Sequence, residues 1–383
     1  MGLMQATRAV SIADLRRLAK RRLPRVIFDL LDGASEDERA LALNQAQLRE
    51  YSLVPRVLRA VAQRDQSTEL FGKKYSSFFG IAPTGFISLL RRDIELMLAG
   101  AAQEAGLPMI LSGVSAEPVE AVAGMAPGQV WSQLYAAKDP EINADLVRRA
   151  QDCGAGVLVW TVDMGAPPKN DRLIRNGLGA PPRLSLMSKL EALTHPAWMF
   201  EYLRGGMTKL GSWQPYISPG APLFEAQKLF MEQRFESLTW RSLETLRRLW
   251  QGPLIVKGIL HPDDAGRVAE LGGDGVIVSN HGGMGLDRAP AAIDMLPGVV
   301  AAVGQKLTVM FDGGVRRGSD IVVARCLGAK FVFVGRATLY GVTAAGKPGA
   351  LHAIDILKDE VDRTLGQIGC SHGGELGPEF VWH

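Results

Sequence analysis

The stretch LTVMFDGGVRRG (Leu307–Gly318), followed by KFVFVGRA (Lys330–Ala337), decides the reading of the fold. Both runs are short and apolar, rich in Val and Phe, and both break into glycine and arginine, as buried strands do where they enter a turn. Between them Ser319–Leu327 has helical spacing, so the three segments form a strand, helix, strand unit with parallel strands. Outward from this pair the same pattern recurs at Phe78–Thr84 (FFGIAPT), Pro108–Gly113 (PMILSG), Val130–Tyr135 (VWSQLY), Gly156–Asp163 (GVLVWTVD), Pro253–Ile259 and Asp274–Asn280. Helical segments at Asp93–Ala105, Pro140–Cys153, Trp240–Trp250 and Pro262–Leu271 separate them. Eight such units predict an α/β fold of the (β/α)8 TIM-barrel type. An open doubly wound sheet would alternate in the same way, but the near-uniform strands and the lack of a glycine-rich dinucleotide turn after the first favour closure.

The whole chain, 1–383, reads as a single domain with an N-terminal helical segment and one long insertion after the fourth strand, at about residues 176–236. Within the insertion, Met187–Trp213 interleaves Leu190, Leu193, Trp198, Met199, Phe200, Tyr202, Leu203, Met207 and Leu210 with Lys189, Arg204 and Lys209. That pattern suits a lid or packing element first, and a membrane-surface anchor second.

Composition narrows the function classes. A net charge of +3 from 43 basic and 40 acidic residues excludes nucleic acid as the main partner. The basic run Arg16, Arg17, Lys20, Arg21, Arg22 and Arg25 lies on a short helix that Ser11 and Asp14 are spaced to cap, and reads as a solvated face. Cys153, Cys326 and Cys370 are too scattered for a disulfide framework or a metal site. With no signal-peptide pattern or bilayer-length apolar run, the expectation is a cytoplasmic protein, at most peripheral to a membrane.

Barrel enzymes place their chemistry at the C-terminal ends of strands. Here those ends carry Ser112, Gln133 with Tyr135, Thr161 with Asp163, Lys257, Ser279-Asn280-His281, Asp312-Gly313-Gly314 with Arg316, and Gly335-Arg336. The last two clusters stand where such barrels bind phosphate: the glycines let backbone N–H groups approach an anion, and the two arginines add fixed positive charge.

The motifs LPRVIFDLLDGASED (Leu23–Asp37), IAPTG (Ile81–Gly85), QLY (Gln133–Tyr135), TVD (Thr161–Asp163), VKG (Val256–Gly258), SNHGG (Ser279–Gly283), DGGVRRG (Asp312–Gly318) and GRATLYG (Gly335–Gly341) occur in this order. In them the chain resembles the FMN-dependent α-hydroxy acid oxidases and dehydrogenases over nearly its whole length. HPAWMFEYLRGG (His195–Gly206) and RTLGQIGC (Arg363–Cys370) look closest to the mandelate dehydrogenase branch. The resemblance implies FMN, with Pro83, Thr84 and Gly85 along the flavin, Ser112, Gln133 and Thr161 on its ring, Lys257 at the N1/O2 edge, and Ser279, Asp312, Gly313, Gly314, Arg316, Gly335 and Arg336 completing the cofactor site. It further implies His281 as the base, Asp163 as the group stabilising its imidazolium, and Tyr135 as a hydrogen-bond partner of a small-molecule substrate. An unidentified electron acceptor (oxygen, quinone or protein) and a homo-oligomer, commonly a tetramer, also follow from the resemblance.

The chain departs from the family where the substrate carboxylate is gripped. The arginine three residues after the base is Met284, the second arginine falls at Asn170 with Lys169 and Arg172 beside it, the N-terminal tyrosine is Leu30, and Val114 stands where several members have tryptophan. Because a buried carboxylate without its partners is costly, the expected substrate carries its C–H beside a hydroxyl or amine but no free carboxylate: an amide, an ester or a larger biosynthetic intermediate. A conventional mandelate- or lactate-like 2-hydroxy acid is the alternative. From other classes, an inactive flavin-binding protein and a phosphate-binding aldolase or isomerase with Lys257 as Schiff-base nucleophile complete the set.

Overall fold

The computed structural model describes residues 2–178, 185–206, 209–221, 225–234 and 238–383. Eight parallel strands close into a barrel: β1 (Phe79–Ile81), β2 (Met109–Leu111), β3 (Val130–Leu134), β4 (Leu158–Thr161), β5 (Leu254–Ile259), β6 (Gly275–Val278), β7 (Thr308–Asp312) and β8 (Phe331–Val334). Each lies inside a run expected from the sequence. The ring is sealed by β8 against β1, with Val332 opposite Phe79 and Val334 opposite Ile81. Nearly every strand residue is buried: Phe333, in register with Gly80 and Asp312, faces the barrel interior, while Phe79 and Phe311, both in register with Val332, face the surrounding helices. The architecture is therefore the (β/α)8 TIM barrel.

The N-terminal helices place the site rather than the barrel. Helix Ile12–Arg22 starts at Ser11, whose Oγ accepts the Asp14 amide and donates to Asp14 Oδ2 at 2.8 Å, the reciprocal cap its sequence implied. Two of its basic residues are engaged within the chain, Arg16 forking onto Asp32 and Arg22 pairing with Glu201. Helices Arg25–Asp32 and Arg39–Glu50 lie over the C-terminal mouth, and the Ser52–Leu53 strand pairs antiparallel with Val381–Trp382, tying this segment to the far end of the chain.

The excursion between β4 and β5 divides in two. Helices Leu186–Leu193 and Pro196–Gly205 present Leu186, Met187, Leu190, Leu193, Phe200 and Leu203 to solvent, while Trp198 Nε1 donates to Leu89 O at 2.8 Å on their inner side. The second part, with the short turn Gly211–Tyr216 and the helix Glu225–Gln233, buries Leu210, Trp213, Ala226 and Phe230 with Val114 and Ala137 in a separate apolar cluster. Met187–Trp213, read as one element from sequence, thus spans an exposed pair of helices and the start of a packed layer; Met207 lies outside the described residues. Among the described residues no helix is long and apolar enough to cross a membrane.

Candidate active site

The C-terminal ends of the strands open into one cavity, which the N-terminal helices and the insertion cover. His281, Tyr135 and Lys257 all face it. His281 follows β6 with φ +58°, a left-handed conformation rare outside glycine, and is followed by Gly282 and Gly283 in the same region. The turn aims the imidazole back across the mouth. Its Nδ1 lies 2.8 Å from Asp163 Oδ1, and its Nε2 lies 3.3 Å from the Tyr135 hydroxyl. Asp163 can come this close because of Gly258: a Cβ there would sit 2.5 Å from the Asp163 side chain, and the β5–β6 register shifts between Lys257 and Ile259. Burial opposes ionisation of Asp163, but His281 and Lys257 together hold its pKa below the ordinary carboxylate value. Burial, and then the charge of Asp163, push Tyr135 up to about 12, so its hydroxyl stays protonated.

Lys257 is buried. Its Nζ lies 3.0 Å from Ser279 Oγ and 3.3 Å from Asp312 Oδ2. Burial works against its charge, yet Asp312, Asp163 and Tyr135 outweigh burial and raise its pKa. A Schiff-base lysine needs the opposite shift, so this environment argues against the aldolase reading. Ser279 joins the elements: its hydroxyl donates to Asp312, receives Lys257, and accepts the His281 amide at 3.0 Å.

The other end of the cavity is cationic and rich in glycine. Gly313 (φ +114°), Gly314 (φ +82°) and Gly335 line it with Arg316 and Arg336. A side chain at Gly314 would meet the Asn44 carbonyl at 2.5 Å. Arg336 already gives three N–H groups to backbone carbonyls, Nε to Leu31 at 3.2 Å, Nη1 to Gly282 at 2.9 Å and Nη2 to Gly33 at 2.7 Å. It thereby joins the N-terminal cover to the His281 turn, a structural role the sequence reading did not include. Burial, and then Arg316, lower its pKa to about 10. Two neighbouring guanidinium groups, open glycine backbone, and a deep protonated lysine fit a ligand with phosphate at one end and an electron-accepting ring at the other.

Pro83, Thr84, Gly85 and Asp312 also line the cavity. Ser112, Gln133 and Thr161 lie beside it, each already hydrogen-bonded within the chain: Gln133 Nε2 donates to Thr161 Oγ1 at 3.0 Å, its Oε1 accepts the Gly113 amide, and Ser112 Oγ accepts the Val114 amide.

Of the expected substrate-pocket residues, Leu30, Val114 and Met284 face the cavity. Asn170 does not. Its Oδ1 accepts the Leu173 amide at 3.0 Å as the N-cap of helix Asp171–Arg175, the ordinary use of an asparagine just before a helix. Neither flanking cation fills in, since Lys169 pairs with Asp171 and Arg172 is held by Asp29 and Glu38. A further cation lining the cavity is Arg234, which sequence reasoning did not reach. It directly follows helix Glu225–Gln233, with its guanidinium carbon 5.0 Å from the Phe230 ring and 5.9 Å from the Tyr135 ring.

Comparison with known proteins agrees with this geometry. The sequence model of the family described as FMN-dependent dehydrogenase matches residues 19–383. The chain is 37% identical over 372 residues to an (S)-mandelate dehydrogenase of Pseudomonas putida, covering 97% of this chain and 93% of that protein. It is 36% identical to an L-lactate dehydrogenase of Alcaligenes faecalis, covering 97% and 98% respectively. A solved structure of the monotopic membrane protein (S)-mandelate dehydrogenase superposes with a TM-score of 0.93 at 37% identity, over 98% of this chain and 99% of that one. With that match running from the N-terminal cover through the eight strands to the glycines after β7 and β8, the chain belongs to the FMN-dependent dehydrogenase family of α-hydroxy acid oxidoreductases, and FMN is its cofactor.

Proposed function

We propose that the protein oxidises a 2-hydroxy acid to the 2-oxo acid. The observation that supports this most is the chain Asp163–His281–Tyr135, a carboxylate, an imidazole and a phenol in hydrogen-bond sequence facing the cavity. His281 Nε2 takes the proton of the substrate hydroxyl while the hydride leaves the adjacent carbon, so the substrate loses two electrons and two hydrogens. Asp163 fixes the Nδ1–H tautomer and stabilises the imidazolium that forms, and Tyr135 donates to a substrate oxygen. FMN, when bound, supplies the two-electron acceptor; Gly313, Gly314, Arg316, Gly335 and Arg336 would hold its phosphate and Lys257 would face its ring. The relatives named for mandelate and lactate favour a free acid.

A second reading, a substrate whose acid is masked as an amide or ester, is favoured by the apolar Leu30 and Met284 on the cavity wall and by the capping duty of Asn170. A mandelate oxidase with an arginine replaced by leucine has been crystallised with 2-hydroxy-phenylacetamide. Anaerobic bleaching of the bound flavin by mandelate and lactate against their amides and esters separates the two. Bleaching by neither class would overturn the assignment of the hydroxyl-bearing carbon.

We further infer that helices Leu186–Leu193 and Pro196–Gly205 rest on a membrane surface. Six exposed apolar side chains on two short helices support this, together with the monotopic relative. Flotation with anionic and neutral vesicles tests it: protein that stays at the bottom of the gradient with both would overturn it.

A further inference from the structure

If the substrate is a 2-hydroxy acid, its carboxylate needs a cation, and positions 30, 170 and 284 offer none. Arg234 is the one guanidinium that the insertion brings to the cavity among the described residues. Its place is set by the barrel. The carbonyl and side chain of Gln233 accept the backbone amides of Lys138 and Asp139, at 2.9 and 3.0 Å, in the loop that leaves β3 directly after Tyr135. The Arg234 amide closes the helix onto Phe230 O at 3.0 Å. The head group then lies against two aromatic faces, beside the phenol whose oxygen touches the base. Burial there lowers its pKa to about 10. A planar guanidinium that lies against two aromatic faces and lines the cavity beside the phenol is placed to receive a ligand anion. The barrel order sets β2, which carries Val114, across from β6, which carries Met284. Phe230 packs in the Val114 cluster, so Arg234 enters from that wall.

We propose that Arg234 anchors the substrate carboxylate, in place of the arginines absent at positions 170 and 284. The proposal rests on the 2-hydroxy acid reading for its turnover arm but not for its binding arm. In the binding arm, dissociation constants of phenylacetate and phenylacetamide are measured on the FMN-loaded protein by perturbation of the flavin spectrum. Neither ligand can be oxidised at a hydroxyl, so the measurement stands whatever the reaction. The parent protein should prefer phenylacetate, and Arg234→Met should weaken it by roughly 30-fold or more while leaving phenylacetamide within about threefold. Arg234→Lys, which keeps the charge but loses the fork, should fall between them and guards against a folding defect. In the turnover arm, Arg234→Met should lower kcat/KM for the free acid mainly through KM. Equal losses for acid and amide, or an unchanged phenylacetate affinity in a variant that keeps its flavin, would overturn the role. If the affinities change as expected while no 2-hydroxy acid bleaches the flavin, the anchor stands and the oxidation reading fails.

Discussion

The ammonium of Lys257 lies 3.3 Å from Asp312 Oδ2, and both side chains are buried. Removing one member of such a pair leaves the other as an unpaired buried charge, at a cost of about 3–5 kcal/mol. Lys257→Met should therefore lower stability by that order, and Lys257→Met with Asp312→Asn should recover much of it in denaturant melts. The potential of the flavin should fall in both variants, because each lacks the cation that stabilises added negative charge. An unchanged potential in the double variant would place Lys257 away from the ring.

His281→Ala should retain FMN and lose at least about 10³-fold in the rate of flavin reduction, since the residues proposed to hold the phosphate lie elsewhere in the cavity. Asp163→Asn should keep the imidazole in place with a weaker hold on its charged form, and lose activity by a smaller factor. Stopped-flow reduction, with flavin content measured alongside, reads both.

Met284 has an ordinary backbone, φ −85° and ψ −11°, and faces the cavity. Met284→Arg should be tolerated and should add a second cation for a carboxylate. kcat/KM for a free 2-hydroxy acid should rise by about tenfold or more, with a loss for the corresponding amide. No change in the acid-to-amide ratio would show that position 284 does not touch the group that distinguishes them.

Glu95, 1% exposed at the start of helix Ile94–Ala105, accepts only the Ala116 amide among the described residues, at 3.0 Å. Burial raises its pKa to about 7. Between its unfolded pKa and 7 the folded chain binds a proton the unfolded chain lacks, so its contribution to stability is full below that window and falls as pH rises through it. Glu95→Gln should thus stabilise the protein at pH 8 relative to the parent, by on the order of 3 kcal/mol, and much less at pH 5. Thermal melts across that range check the slope.

Replacing Leu186, Phe200 and Leu203 by serine should abolish flotation with vesicles and leave turnover of a soluble substrate within about twofold, because all three point to solvent.

The barrel was legible because its strands are apolar runs punctuated by glycine and arginine, and no tertiary contact is needed to see that alternation. Asp163, Lys257 and His281 were legible for the related reason that strand ends converge in this architecture. Arg234 was not. It sits at the end of an inserted helix, and only the hydrogen bonds of Gln233 to the loop after Tyr135 bring it to the cavity. Asn170 shows the reverse: its spacing from Asp163 suggested the pocket, while the local signal of an asparagine before a short helix was the stronger one. Arg336 was legible as a cation but not as a cross-link, because its partners are carbonyls, which sequence does not display.

The turn after β6 also bears on how such a site diverges. His281 and Gly282 hold left-handed conformations at φ +58° and +61°, and Gly283, at φ +82°, lies where a Cβ would be 2.6 Å from the Leu41 amide nitrogen. Gly282 and Gly283 therefore admit almost no substitution, and His281 holds a conformation that few residues adopt readily. The next residue, Met284, is the first with an unconstrained backbone, and its side chain still faces the cavity. Mutational freedom in this loop is therefore concentrated at a single position, so selection can change what the barrel grips while the apparatus that removes the proton is inherited unaltered.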